Sequence, residues 1–107
     1  MRVILDECVP RPLKRYVEGH EVTTVQERGR AGLKNGPLLR FMREAGVEAF
    51  VTTDRNLEYQ QNVAAAGFAV VVLVAVTNTL EDLLPLVPEL LVALENSRPG
   101  HVTRVGA

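Results

Sequence analysis

Along the chain, short apolar runs of strand length alternate with stretches whose apolar residues recur every three or four positions. Val3-Ile4-Leu5 is such a run, closed by Asp6-Glu7, and has the pattern of a strand buried on both faces. Pro10 and Pro12 then open a helix with Leu13, Tyr16 and Val17 at helical spacing, which Gly19 ends. Glu21 to Val25, rich in β-branched residues, predicts a second strand. The polar stretch from Arg28 to Gly36 carries Gly29, Gly32 and Gly36 and reads as a loop. It leads to a helix over Pro37 to Ala45 that Asn35 is placed to cap. Leu38, Leu39, Met42 and Ala45 give that helix one apolar face, and Gly46 ends it.

Glu48 to Thr52 follows as a third strand, with Thr53-Asp54 at its C-terminal end. Asn56 to Ala66 predicts a helix with Gln60 and Gln61 on its polar face. Ala69 to Val74 is the most hydrophobic strand, as expected at the centre of a parallel sheet. Thr79 and Asp82 have capping-box spacing and open a last helical region, where Leu83, Leu84, Val87, Leu90, Leu91 and Leu94 repeat at helical spacing. Pro85 and Pro88 are expected to kink or split it, and His101 to Val105 to add a final short strand. Strands alternating with helices predict an α/β domain with a mostly parallel sheet of four to five strands. Ligands of such sheets bind beyond the strands' carboxyl ends.

Composition sharpens this in a few places. A chain of 107 residues fits one domain, 1–107, and 47% hydrophobic with 23% charged residues can supply a core without staples. Disorder, collagen and coiled coil are excluded as whole-chain readings. Cys8 stands alone, so no internal disulfide forms, and no CxxC or Cys/His cluster suggests zinc. A run of only three apolar residues precedes the first acids, too short for the hydrophobic region of a signal peptide, so the expected location is cytoplasmic. The longest apolar run, Val63 to Val76, falls short of the roughly 18 residues of a membrane span, and no membrane association is expected. A net charge of -1 excludes a generally basic coat. Yet nine of the twelve Lys and Arg lie at or before Asp54, against eight acids, which permits a local basic rim.

The acids take their meaning from the fold rule. Asp6 and Glu7 end the first strand and Asp54 follows the third, so neighbouring strands would project their carboxylates into one crevice. Oxygen ligands in that place suit Mg²⁺ or Mn²⁺, hard cations that take one or two carboxylates and keep several waters. Either aspartate alone could instead be a helix cap or turn residue, and Glu7 a solvated neighbour. Glu58, four residues after Asp54, could turn to the same crevice or lie on an exposed helix face. Tyr59, His20 and His101 fit surface, capping or half-buried roles better than chemistry.

The runs Val3-Ile4-Leu5-Asp6-Glu7-Cys8-Val9-Pro10, Ala31-Gly32-Leu33-Lys34-Asn35-Gly36 and Val51-Thr52-Thr53-Asp54-Arg55-Asn56-Leu57 resemble the landmarks of small PIN-like proteins. These are a compact branch of the PIN-domain superfamily, whose better-known members are VapC-type toxin ribonucleases. The resemblance implies a three-layer α/β/α sandwich and a Mg²⁺- or Mn²⁺-dependent endoribonuclease, the toxin of a toxin–antitoxin pair. Asp6 matches the family's first-strand aspartate and Asp54 that of its T-x-D motif, so both would hold the metal. Glu7 or Glu58 would orient the attacking water or complete the metal's surroundings, where Asn35 could offer a carbonyl oxygen. Arg11, Lys14, Arg15, Lys34 and Arg55 would neutralise RNA phosphates. RNA, an antitoxin-like protein and a second copy of the chain are the partners implied. The chain departs from the family at Cys8, where many relatives have Asn, at Asn35, where an acid is common, and after the fourth strand, where Thr77-Asn78-Thr79 offers no acid.

Two other readings remain open. One is a PIN-like module that binds RNA or protein without catalysis, which the missing acids favour. The other is a phosphoacceptor receiver domain, with Asp54 as acceptor and Thr77 at the hydroxyl position; it needs a lysine near the end of the fifth strand, and the only lysines are Lys14 and Lys34.

Overall fold

The computed structural model describes residues 1–33, 35–56 and 66–106. Five strands, β1 (Arg2–Leu5), β2 (Glu21–Thr24), β3 (Ala49–Thr52), β4 (Ala69–Val74) and β5 (Val102–Gly106), form one sheet in the order β2-β1-β3-β4-β5. Every neighbouring pair is parallel. All residues of β3 and β4 are buried, as the continuous apolar runs predict for a parallel sheet covered on both faces.

Each face has its own core. On one, Val3, Leu5, Val51, Val71 and Leu73 pack with Leu13, Leu83, Leu90 and Leu94; on the other, Ile4, Phe50, Val70 and Val72 pack with Leu38, Leu39 and Met42. The first set of partners comes from a 3-10 helix, Arg11–Tyr16, and from the C-terminal helices. The second comes from α1 (Asn35–Glu44). Helices on both faces of the sheet are compatible with three layers.

Prolines mark both the first and the last helical regions. Pro12 lies in the first turn, where a missing N–H is no loss, and the segment after Pro10 forms a 3-10 helix that ends at Tyr16 rather than continuing to Gly19. Pro85 and Pro88 split the last helical region into α2 (Leu80–Leu83), a 3-10 turn over Leu84–Leu86, and α3 (Val87–Glu95). Thr79 caps α2, its hydroxyl accepting from the backbone N–H of Asp82 at 3.3 Å. The third strand starts one residue later than expected, and the Glu48 carboxylate before it accepts from the backbone N–H of Arg2 at 2.9 Å. The helix expected over Asn56 to Ala66 lies largely outside the described residues. No helix among the described residues is long and apolar enough to cross a membrane.

The chain runs from β1 outward to β2 and then back past β1 to β3. The strand order reverses between β1 and β3, and at such a switch point a crevice opens beyond the strands' carboxyl ends.

Candidate functional site

Asp6 and Asp54 stand at that switch point. β1 pairs directly with β3, Leu5 opposite Val51, and the Asp6 N–H extends the ladder by donating to the Val51 carbonyl at 2.9 Å. The next residue of β3, Thr52, is fully buried and meets Asp6 side chain to side chain: its hydroxyl donates to Asp6 Oδ2 at 2.8 Å. Thr52 Oγ1 in turn accepts from the backbone N–H of Asp54 at 3.0 Å. One hydroxyl therefore links the ends of the two strands that carry the aspartates.

Both carboxylates are oriented locally as well. Asp6 Oδ1 accepts from the Glu7 N–H at 2.9 Å, and Asp54 Oδ1 from the Asn56 N–H at 3.0 Å. The second is the turn role that an aspartate after a strand can fill. Cys8, half-buried, sits among these groups, its thiol 3.5 Å from Asp6 Oδ2 and its sulfur accepting from the Thr53 N–H at 3.5 Å. The end of β4 closes the arrangement. Asn78 Nδ2 donates to the Cys8 carbonyl at 3.4 Å, and Arg55 Nη2 to the Ala75 carbonyl at 3.1 Å. Thr77 is bound to the cap of α2, donating to Asp82 Oδ2 at 2.6 Å.

Glu7 is turned to a different neighbour. Its Oε2 accepts from the Gly32 N–H at 3.2 Å and its carbonyl from Gln26 Nε2 at 3.3 Å, so it fastens both ends of the loop after β2. Lys34 and Glu58 lie outside the described residues, and Asn35 is the first residue of α1. Among the described residues, no group of three or more His, Cys, Asp and Glu is gathered for a metal.

The bases form a cluster with an acid inside it. Lys14 Nζ lies 2.9 Å and Arg11 Nη2 3.7 Å from Glu27 Oε2. With Arg15 they line an open groove of about 480 Å³. Glu27 is fixed there by a reciprocal pair: its N–H donates to Thr24 Oγ1 at 3.0 Å, and the Thr24 N–H donates to Glu27 Oε1 at 3.1 Å. The Lys14 ammonium, chiefly through its hydrogen bond, and then Thr24 and Arg11 hold the Glu27 carboxyl below the ordinary carboxylate range, against a smaller opposing effect of desolvation. The histidines lie elsewhere: His20 Nδ1 is 3.5 Å from the N-terminal amine, and the His101 N–H donates to the Arg98 carbonyl.

Three features escaped the sequence reading. Thr52 looked like a strand residue, and only its pairing with β1 makes it a bridge. Thr24 and Glu27 have capping-box spacing, a signal present in the sequence but at the end of a strand rather than before an apolar helix. Arg28 and Arg30, whose guanidinium groups lie over the Phe41 ring, were visible only as part of a polar loop. No family model matches the chain, and no curated protein or solved structure matches it.

Proposed function

We propose that the protein is a metal-dependent endoribonuclease that hydrolyses RNA phosphodiester bonds at the crevice between β1 and β3. The observation that carries this reading is the pairing of β1 with β3, which sets Asp6 and Asp54 at adjacent strand ends with Thr52 tied to both. Two half-buried carboxylates, each held by a backbone N–H, fit a hard cation that keeps most of its waters; Asp6 and Asp54 would hold it. When bound, Mg²⁺ or Mn²⁺ would supply Lewis-acid stabilisation of the charge that develops on the phosphoryl oxygens. Thr52 keeps the Asp6 carboxylate pointed by donating to it. Arg15, and Arg11 and Lys14 once drawn from Glu27, provide charge for flanking phosphates.

The test is Mn²⁺-dependent cleavage of single-stranded RNA by the wild type, Asp6→Asn and Asp54→Asn, each checked for folding by circular dichroism and for Mn²⁺ binding by titration. The expected result is metal-dependent cleavage by the wild type alone, with weakened Mn²⁺ binding in both variants. Cleavage that survives both substitutions, or a folded wild type that neither binds Mn²⁺ nor cuts any RNA, overturns the proposal.

One observation favours a non-catalytic binding module: both Asp6 oxygens already accept hydrogen bonds from protein donors, as they would in a purely structural role. Absent cleavage with intact RNA binding would select that reading. The strand order, with β1 and β3 central, also suits a receiver domain. Against it stand the engagement of Thr77 with Asp82 and the lack of any lysine beyond Lys14 and Lys34. Formation of a base-labile acyl phosphate on Asp54 from a small phosphodonor and Mg²⁺ would select the receiver reading instead.

A further inference from the structure

A second basic surface, distinct from the Arg11–Lys14–Arg15 groove, lies on the opposite flank of β2. Arg28 and Arg30 are both exposed, and their guanidinium carbons stand 5.7 and 5.0 Å from the centroid of the Phe41 ring on α1. The ring attracts both cations without using their N–H groups, which are the groups that bind a phosphate through paired hydrogen bonds. Among the described residues neither arginine has an acidic partner, unlike Arg11 and Lys14.

Arg28 also lines a groove of about 260 Å³ between β2 and the end of α1, with Arg2, Glu21, Thr23 and Ala45. The Arg2 guanidinium reaches close to Gly46, where a Cβ would sit 3.1 Å from Arg2 Nη1. Among the described residues its guanidinium has one acidic partner, Glu21, 3.7 Å away and exposed, a weak restraint. Arg30 extends the positive surface outside this groove. It lies two residues before Gly32, whose N–H is fastened to Glu7 beside Asp6. The loop bearing both arginines is thus tied to the strand-end crevice.

We infer that Arg30, Arg28 and Arg2 form a track for the phosphodiester backbone of single-stranded RNA, leading away from the crevice along the flank of β2, with Phe41 as the positioning residue. This rests on the reading of RNA as the protein's ligand but not on cleavage. A strand rather than a single small anion is the occupant, because Arg30 lies outside the groove that Arg28 and Arg2 share. Arg28 joins the three, sharing the Phe41 ring with Arg30 and the groove with Arg2.

Binding of a fluorescent single-stranded RNA, measured by anisotropy in EDTA over a series of salt concentrations, separates binding from cutting. Arg28→Ala and Arg30→Ala should each weaken binding and flatten the dependence of log K on log[salt] by about 0.7, the value for one lost phosphate contact on a single strand. Arg98→Ala, an exposed arginine near the amino end of the sheet, should leave both unchanged. Phe41→Leu should weaken binding while Phe41→Tyr retains it, and all variants should melt within a few degrees of the wild type. Arg28 and Arg30 variants that bind as the wild type does overturn the track and leave the nuclease reading standing. A wild type that binds no RNA overturns both. Displacement of the RNA by inorganic phosphate or a mononucleotide at concentrations similar to unlabelled RNA overturns the track in favour of a small-anion site.

Discussion

Thr52 and Asp6, on adjacent strands, are joined by a hydroxyl-to-carboxylate hydrogen bond of 2.8 Å, and the Thr52 oxygen also accepts from the Asp54 N–H at 3.0 Å. The bridge is wholly buried at Thr52 and half-buried at both aspartates. Thr52→Val keeps the shape but leaves two polar groups without their partner, a loss of about 1–3 kcal/mol. Thr52→Ser keeps the hydroxyl and loses one methyl group, about 0.8 kcal/mol. Denaturant melts should therefore rank wild type, Ser and Val in falling order. Mn²⁺ affinity should drop by about tenfold or more in Val alone, since a group that orients a ligand carboxylate is lost. A Val variant that melts and binds Mn²⁺ like Ser would remove the bridge from the account of the site.

Glu7 offers a different contrast, because its carboxylate is spent on the Gly32 N–H of the loop after β2. Glu7→Ala should leave Mn²⁺ affinity within about threefold of wild type while the Gly32 amide exchanges with solvent faster. An exposed contact of this kind contributes about 1 kcal/mol or less, so global stability should barely change. Abolished cleavage with unaltered Gly32 exchange would instead give Glu7 a role at the scissile phosphate.

The strands were the most legible part of the sequence, and β4 matches its apolar run, Ala69 to Val74, residue for residue. A strand buried on both faces has little freedom in where its apolar residues stop. The split of the last helical region was legible for the same kind of reason, since Pro85 and Pro88 remove N–H groups whatever surrounds them. Sheet order was not: nothing local to Val3-Ile4-Leu5 states that Ala49–Thr52 rather than another strand lies beside it. The meeting of Asp6 with Thr52 depends on that order, so the bridge was invisible although both aspartates were singled out. The pairing of Arg11 and Lys14 with Glu27 was hidden likewise, because Glu27 is brought to them by the return of the chain through β2.

Gly106, at the end of β5, has φ +99°, and a Cβ there would collide with the carbonyl oxygen of Val74 on β4. Its N–H donates to Glu89 Oε2 of α3 at 2.7 Å, which ties the end of the sheet to the last helix. Gly106→Ala should cost about 1–3 kcal/mol through strain and displacement of β5. Gly29 also has positive φ, +70°, but open space around the missing Cβ, so Gly29→Ala should cost less. Equal losses in the two variants, measured by urea unfolding, would show that backbone conformation alone sets the cost and that the Val74 contact relaxes freely.

Under the proposed function, Glu27 ties pH to both stability and RNA binding. Its folded-state carboxyl is held below its ordinary range, first by the hydrogen bond from Lys14. A carboxyl depressed in this way contributes stability that is fully present above its unfolded pKa and is lost as pH falls through the lower, folded one. Wild type and Glu27→Gln should therefore differ in stability at neutral pH and converge only in acid, below the ordinary carboxylate range. Their RNA affinities should differ in the opposite sense. Glu27→Gln releases Arg11 and Lys14, so at neutral pH it should bind single-stranded RNA more tightly than the wild type and with a steeper dependence on salt. A variant that is both less stable and weaker for RNA at neutral pH would mean that Glu27 holds the two bases in the geometry RNA requires, and that their pairing is preorganisation rather than competition.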